Sequence, residues 1–238
     1  MAMTTSRLIR LTAVGFAIGS TLFALGVPVS LVDGGTVPAD RIFFAGSVFF
    51  TLAAAGQLLT SVRHLPAVDD SPARPTWRSR LARPRTMDWS ASAVQFLGTL
   101  WFNVTTLLAA LDATSRAEVA SDRVWRPDAW GSVAFLVASA LAAVPEVRRR
   151  RHAHVRTRSW WIAALNLLGS VFFGLSAVGA FTTSSGELVD LRWANTGTFL
   201  GALCFLAGAL LLLPPRRVTG DGGPAASSAA PDGAGRAS

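Results

Sequence analysis

Six long stretches of the chain contain no charged residue, and they constrain its fold more than any other feature. They cover residues 11–32, 42–62, 89–111, 129–145, 159–186 and 193–215. A helix needs roughly 20 apolar residues to cross the hydrocarbon core of a bilayer, and at about 1.5 Å per residue even the shortest stretch reaches about 25 Å. Soluble helices need a polar face, which these stretches lack. The sequence therefore predicts an all-α, polytopic integral membrane protein with six transmembrane helices, built as three tandem helical hairpins.

Composition agrees with this prediction. Charged residues make up 15% of the chain and hydrophobic residues 51%, whereas soluble domains carry about 25% charged residues. A single cysteine, Cys204, excludes an internal disulfide. Arg7 and Arg10 precede the first apolar stretch as in a signal peptide, but this stretch is longer than the roughly 7–15 residues of a signal-peptide core. We expect the first helix to be retained.

All 22 basic residues are arginines, and they are divided unequally between the two ends of the predicted helices. The side that holds both termini has 17 arginines and the opposite side has 5. Basic loops favour the cytoplasm, so we expect a multi-pass protein of the cell membrane with both termini cytoplasmic. The arginine runs at 74–85 and 148–158 lie beside helix ends, where they are suited to anionic lipid headgroups. The lipid bilayer is thus the expected partner, and nucleic acid is not.

The predicted hairpins divide the chain into five segments. Unit one covers 1–63 with helices at about 11–32 and 42–62, and a cytoplasmic arginine-rich loop follows at 64–88. Unit two covers 89–151 with helices at about 89–111 and 129–145, and unit three covers 152–217 with helices at about 159–183 and 193–215. The tail 218–238 has few large apolar residues and is predicted to be disordered.

A short string recurs in every predicted helix: glycine, serine or threonine, two mostly apolar residues and usually phenylalanine. It reads GSVFF at both 46–50 and 169–173 and is most degenerate at 197–201, where it reads GTFLG. Small residues let membrane helices approach closely, so its glycines are predicted to pack helices together. Because the strings keep step with the hairpins, they indicate three copies of a two-helix unit, arranged as a pseudo-threefold ring or as a row. The glycines are Gly19, Gly46, Gly98, Gly131, Gly169 and Gly197.

At these strings the chain resembles the YrhK-like family, a small bacterial membrane domain of two hydrophobic helices that carries Gly-Ser-x-x-Phe strings. The resemblance covers 11–63 and 159–217 best. Residues 89–151 depart from the pattern, with Thr99 in place of serine and Trp101 within the string. The resemblance implies a bacterial membrane protein and offers no catalytic residue to transfer.

The predicted helices contain no carboxylate, histidine or arginine, and intramembrane chemistry usually depends on such groups. His64, His152 and His154 fall in loops, where neighbouring arginines oppose cation binding. Cys204 has no histidine partner and is interpreted as a packing residue. We therefore expect no catalytic residue, no metal site and no cofactor, and predict that the protein is not an enzyme.

Four amide side chains remain inside the predicted membrane region: Gln57, Gln95, Asn103 and Asn166. Gln57, Gln95 and Asn166 would share one depth, about 9–12 Å from the cytoplasmic boundary, with Asn103 deeper. If they hydrogen-bond between helices, at about 0.6–2 kcal/mol each, they suit a structural, scaffold or accessory protein, which the sequence favours. If instead they line a cavity at the level of Gln95 and Asn166, they suit a carrier or channel for a small neutral solute.

Overall fold

The computed structural model describes residues 4–32, 37–63, 86–115, 121–150, 156–181 and 189–214. Within these ranges it contains six helices and no strand, and every helix is long and apolar enough to cross a membrane. The all-α fold of three tandem hairpins is thus confirmed. Most of the predicted loop 64–88, all three histidines and the tail 218–238 lie outside the described residues. The helices are α1 (Thr5–Val32), α2 (Val37–Arg63), α3 (Met87–Ser115), α4 (Ser121–Arg150), α5 (Arg158–Gly179) and α6 (Leu191–Leu212).

Apart from the end of α1 at Val32, the helices begin and end at different residues from those predicted. The largest difference is in α4, which has 30 residues where the charge-free stretch covers 129–145. Charged residues end the apolar stretch but not the helix, because a helix can continue into the polar interface of the bilayer. In contrast, α5 ends at Gly179 rather than near 183, and α6 ends at Leu212 rather than 215. Leu213 is extended (φ −62°, ψ 124°), as expected of a residue before proline.

Side-chain caps fix the starts of several helices. Thr86 and Thr157 precede α3 and α5, and each hydroxyl accepts a hydrogen bond of 3.2 Å from the backbone N–H three residues later. The Asp190 carboxylate accepts hydrogen bonds from the N–H groups of Arg192 (2.8 Å) and Trp193 (3.3 Å) at the start of α6. Such caps satisfy backbone donors that have no partner inside the helix.

The six helices form a closed ring. Each helix packs against the next one along the chain, and α6 packs against α1. The hairpins therefore form a ring rather than a row. On the outside of this ring lie exposed apolar side chains, such as Leu52, Trp130 and Val133. Since a membrane-spanning helix meets lipid on its outer surface, these side chains contact the bilayer.

Candidate functional site

The repeat glycines bring the two helices of each hairpin into backbone contact. A Cβ atom built at Gly19 would lie 3.0 Å from the Gly46 carbonyl oxygen, and one built at Gly46 would lie 3.2 Å from the Gly19 carbonyl oxygen. In the second hairpin, a Cβ at Gly131 would lie 3.3 Å from the Gly98 carbonyl oxygen. These distances are shorter than ordinary van der Waals contacts, so only glycine fits without a shift of the neighbouring helix.

The third hairpin uses a different glycine from the one that the string at 197–201 indicated. Gly169 faces Gly201: Cβ atoms built at these residues would lie 3.1 and 3.0 Å from the carbonyl oxygen of the other. The string GALCF at 201–205 thus makes the contact that was predicted for GTFLG at 197–201. The predicted string lies one helical turn nearer the start of α6. Gly197 also lies in a close contact, with the backbone of α5 at Phe172 and Ser176. Gly197 therefore packs α6 against α5, although Gly201 is the residue of α6 that faces Gly169.

The six phenylalanines that end these strings meet on the ring axis, and we call them the phenylalanine layer. They form two triangles, one from the first helices and one from the second helices of the hairpins. Ring centroids are 5.6–6.5 Å apart in the first triangle, 5.7–6.3 Å in the second and 5.2–5.6 Å within each hairpin. The layer consists of Phe23, Phe50, Phe102, Phe135, Phe173 and Phe205, each 4–7% exposed.

The phenylalanine layer closes the ring axis. The cavity between the six rings has a volume of only about 10 Å³. A cavity needs about 10–15 Å³ and several polar partners to hold one water molecule. Ser47 and Thr99 also line this cavity, but their hydroxyl groups already donate hydrogen bonds to backbone carbonyl oxygens. The layer therefore separates the two ends of the bundle by a dry apolar contact.

On the side of the phenylalanine layer where α1 begins and α6 ends lies a cavity of about 520 Å³, which we call the termini-side vestibule. Residues of all six helices line it, and among them are Gln57, Gln95 and Asn166. Each of these amides lies seven residues from the phenylalanine of its own helix, which is two helical turns on the same face. The structure thus brings together three of the four predicted amides.

These three amides are not used to join helices. Among the described residues, none of their side chains makes a hydrogen bond. Space at Gly208 accommodates the Asn166 amide, because a Cβ atom built at Gly208 would lie 3.0 Å from Asn166 Oδ1. The donors and acceptors of all three amides are therefore available to a molecule in the vestibule.

The Asn103 side chain hydrogen-bonds between helices and does not line the vestibule. Its Oδ1 accepts a hydrogen bond of 2.7 Å from Ser47 Oγ, and its Nδ2 donates one of 2.5 Å to Thr51 Oγ1. Both partners belong to α2, so Asn103 joins α2 to α3. It lies beside Phe102 in sequence and is rotated by about 100° from it around the helix, which directs it away from the axis.

A second cavity, the hairpin-side vestibule, lies beyond the other face of the phenylalanine layer and has a volume of about 260 Å³. Its lining includes the carboxyl groups of Asp40 and Asp128 and the side chains of Asn195 and Thr198. Neither carboxyl group was among the predicted site residues, because each predicted membrane segment ends at the nearest charge. The spacing to the layer would have found one of them: Asp128 lies seven residues before Phe135, on the face that points to the axis.

No family model, no curated protein and no solved structure matches this chain. The geometry and chemistry of the two vestibules are therefore the basis for a functional interpretation.

Proposed function

We propose that this protein is a non-enzymatic membrane carrier or channel for a small neutral solute, with its passage along the axis of the helix ring. The supporting observation is a pair of polar vestibules at opposite ends of one bundle, separated by a single phenylalanine layer. A scaffold or accessory protein, which the sequence favoured, requires no cavity at the level of Gln95 and Asn166. The 520 Å³ vestibule at this level supports transport instead.

The chemistry of the termini-side vestibule suits an uncharged solute with both hydrogen-bond donors and acceptors. Each primary amide offers two N–H donors and a carbonyl acceptor. Among the described residues that line this vestibule, Asp88 is the one ionisable residue, and it lies in the first turn of α3 near the open end. An ion at the amides would lose hydration without a compensating charge, whereas a neutral polar molecule would exchange its hydrogen bonds with water for bonds to amides.

The phenylalanine layer is proposed to be the gate of this passage in its closed state. Most of its ring pairs make edge-to-face contacts that contribute about 0.5–1.5 kcal/mol each, so the closed layer is stable and excludes water. A solute passes only when rings separate or rotate. A carrier would expose one vestibule at a time, and a channel would open both together.

We further propose that the three hairpins are copies of one YrhK-like unit in a bacterial cell membrane, with both termini in the cytoplasm. The equivalent glycine contacts and phenylalanine positions of the three hairpins support a common unit. In this orientation the termini-side vestibule opens to the cytoplasm. Arg156 lies 4.9 Å from the ring centre of Trp160 at the same end, which suits a site beside anionic lipid headgroups.

Flux measurements in reconstituted vesicles test the transport proposal. Urea, acetamide and glycerol are suitable neutral probes, followed by light scattering after rapid mixing. We expect the wild-type protein to accelerate entry of at least one probe, and the double variant Gln95→Leu/Asn166→Leu to reduce the rate to that of protein-free vesicles. Asn103→Leu is the matched control, because it removes an amide that does not face the vestibule and should keep the flux.

If the wild-type protein accelerates none of these probes, transport of a small neutral solute is contradicted, and the scaffold function regains support. Flux that persists in the double variant would show that the passage does not use the amides.

A further inference from the structure

The three contacts between neighbouring hairpins differ in their hydrogen bonds. Between α2 and α3, the hydroxyl oxygens of Ser47 and Thr106 lie 2.9 Å apart. Between α4 and α5, the hydroxyl oxygens of Ser139 and Ser170 lie 2.7 Å apart, and Trp125 Nε1 donates to the Ala177 carbonyl oxygen at 2.8 Å. In contrast, no side-chain hydrogen bond joins α6 to α1 among the described residues. We call this third contact the α1–α6 seam.

The register of the repeat explains why the α1–α6 seam lacks these bonds. Ser139 lies eight residues after Gly131, and the residue eight after Gly201 in α6 is Ala209. Likewise, Ser47 follows Gly46, whereas Ala202 follows Gly201. Alanine therefore replaces serine at both positions of α6 that correspond to hydrogen-bonded serines in the other second helices.

Ser20 of α1 is left without a partner by these replacements. It follows Gly19 as Ser170 follows Gly169, so it corresponds to the residue that bonds to Ser139. Its side chain is fully buried, and its Oγ has no hydrogen-bond partner among the described residues. A buried hydroxyl without a partner costs free energy that is recovered when water or another donor or acceptor reaches it. Opening of the seam would therefore relieve an unfavourable feature of the closed ring when water from a vestibule reaches Ser20.

The position of the seam connects it to the phenylalanine layer. Two edges of the layer join hairpin one to hairpin three, Phe23–Phe173 at 5.8 Å and Phe50–Phe205 at 5.9 Å. Separation of α1 from α6 stretches these two edges first. Moreover, α1 and α6 are the neighbouring helices of the ring that are not consecutive in the chain, so no interhelical connection limits their separation.

We propose that the α1–α6 seam is the moving joint of the helix ring, and that its separation opens the phenylalanine layer between hairpins one and three. The link to the layer rests on the proposed transport function, whereas the movement of the seam does not. The contacts between α2 and α3 and between α4 and α5 stay closed during this movement, so that hairpins one, two and three remain joined as an opened ring.

Cross-linking tests the link to transport. In a Cys204→Ser background, Ser20→Cys with Ala209→Cys would bridge the seam, and Ser139→Cys with Ser170→Cys would bridge the equivalent positions of α4 and α5. We expect oxidation of the seam pair to reduce urea flux at least tenfold and a reductant to restore it, while the control pair changes the flux less than twofold. Equal effects of the two cross-links, or no effect of the seam cross-link, would overturn the proposal.

Distance measurements test the joint itself without any flux. Spin labels at Ile18 and Leu203 report across the seam, and labels at Leu168 and Val133 occupy the same registers across α4 and α5, all at exposed positions. We expect a broad or two-component distance distribution for the seam pair and a narrow one for the control pair. Ala209→Ser should narrow the seam distribution because it supplies a partner for Ser20.

These two measurements separate the possible failures. Absence of flux with a broad seam distribution would contradict the transport function and leave the joint intact. Equally narrow distributions for the two label pairs would refute the joint, whatever the flux.

Discussion

The contact between α5 and α6 makes Gly197 a position where one added methyl group should have a large effect. A Cβ atom there would lie 2.6 Å from the Phe172 carbonyl oxygen and 2.7 Å from the Ser176 backbone nitrogen. Both are backbone atoms of α5, so they cannot move without a shift of the helix. Gly174 is the matched control, because a Cβ atom built there has no neighbouring atom within 4 Å. We therefore compare Gly197→Ala with Gly174→Ala.

The expected difference in stability follows from the distances. An ordinary contact begins near 3.4 Å, so α5 and α6 must move apart by about 0.8 Å to accept the methyl group at Gly197. Overpacking of this kind costs about 1–3 kcal/mol, while alanine gains about 1 kcal/mol of helix propensity at both positions. The two variants should thus differ by about 1–3 kcal/mol in the free energy of unfolding, which corresponds to about 2–12 °C in melting temperature.

Thermal unfolding in a mild detergent, followed by tryptophan fluorescence, measures this difference. Gly174→Ala should melt at or slightly above the wild-type temperature, and Gly197→Ala should melt below Gly174→Ala. The hydroxyl oxygens of Ser176 and Thr198 lie 2.7 Å apart in the same contact, and helix separation would weaken this bond too. If the two variants melt at the same temperature, the backbone contact at Gly197 does not control the packing of α5 and α6.

Three further variants test other contacts. Asn103→Leu removes two hydrogen bonds between α2 and α3 and should lower the free energy of unfolding by about 1–2 kcal/mol, measured by thermal melting, with unchanged urea flux. Phe135→Ala leaves a gap in the phenylalanine layer: it should cost about 3–5 kcal/mol of stability and increase the leak of water through vesicles, measured by osmotic shrinkage. Gly169→Leu should push α5 and α6 apart and lower the melting temperature in detergent, and an unchanged melting profile would contradict the packing role of this glycine.

The positions of the helices could be predicted from the sequence, whereas their ends could not. A charge-free stretch identifies where a helix crosses the hydrocarbon core, since charges there are costly. It does not identify where the helix stops, because helical hydrogen bonds continue in the interface. Asp128 is an example: it was predicted to lie in a loop, but it lies within α4 and lines a vestibule. A rule that defines membrane segments by the absence of charge cannot find a charge that belongs to the site.

Closure of the ring could not be predicted from the sequence either. The strings indicate which face of a helix meets its partner in the same hairpin, and in the first two hairpins the string glycines lie at this contact. Contacts between hairpins involve residues far apart in the chain, such as Ser139 with Ser170. Whether α6 reaches α1 depends on the summed angles of all these contacts, which no single string contains.

The depth of an amide in the membrane was insufficient to identify the amides that line the vestibule. The angle of the residue around its helix axis is needed as well. Gln57, Gln95 and Asn166 each lie seven residues from a phenylalanine of the layer, whereas Asn103 lies one residue from Phe102. Seven residues are two turns less about 20°, so the first three point to the axis, and one residue is a rotation of about 100° that directs Asn103 to α2. The depth and the angle can both be calculated from the sequence. The angle identifies a lining residue only when the residue that points to the ring axis is known.

The same spacing explains why a packing string can also build a passage. Glycine contacts bring the helices together at one level, and the phenylalanine four residues later fills the axis there.

Seven residues further toward the termini, the same face of each helix lies about 10 Å from the phenylalanine layer. At this level the side chains do not fill the space on the axis, because three of the six lining residues are amides and the others are an alanine, a leucine and a single phenylalanine. A vestibule is therefore the geometric consequence of three close glycine contacts and six phenylalanines at one level, and the amides at three of the six lining positions determine what it can bind. The positions are Phe16, Gln57, Gln95, Ala142, Asn166 and Leu212.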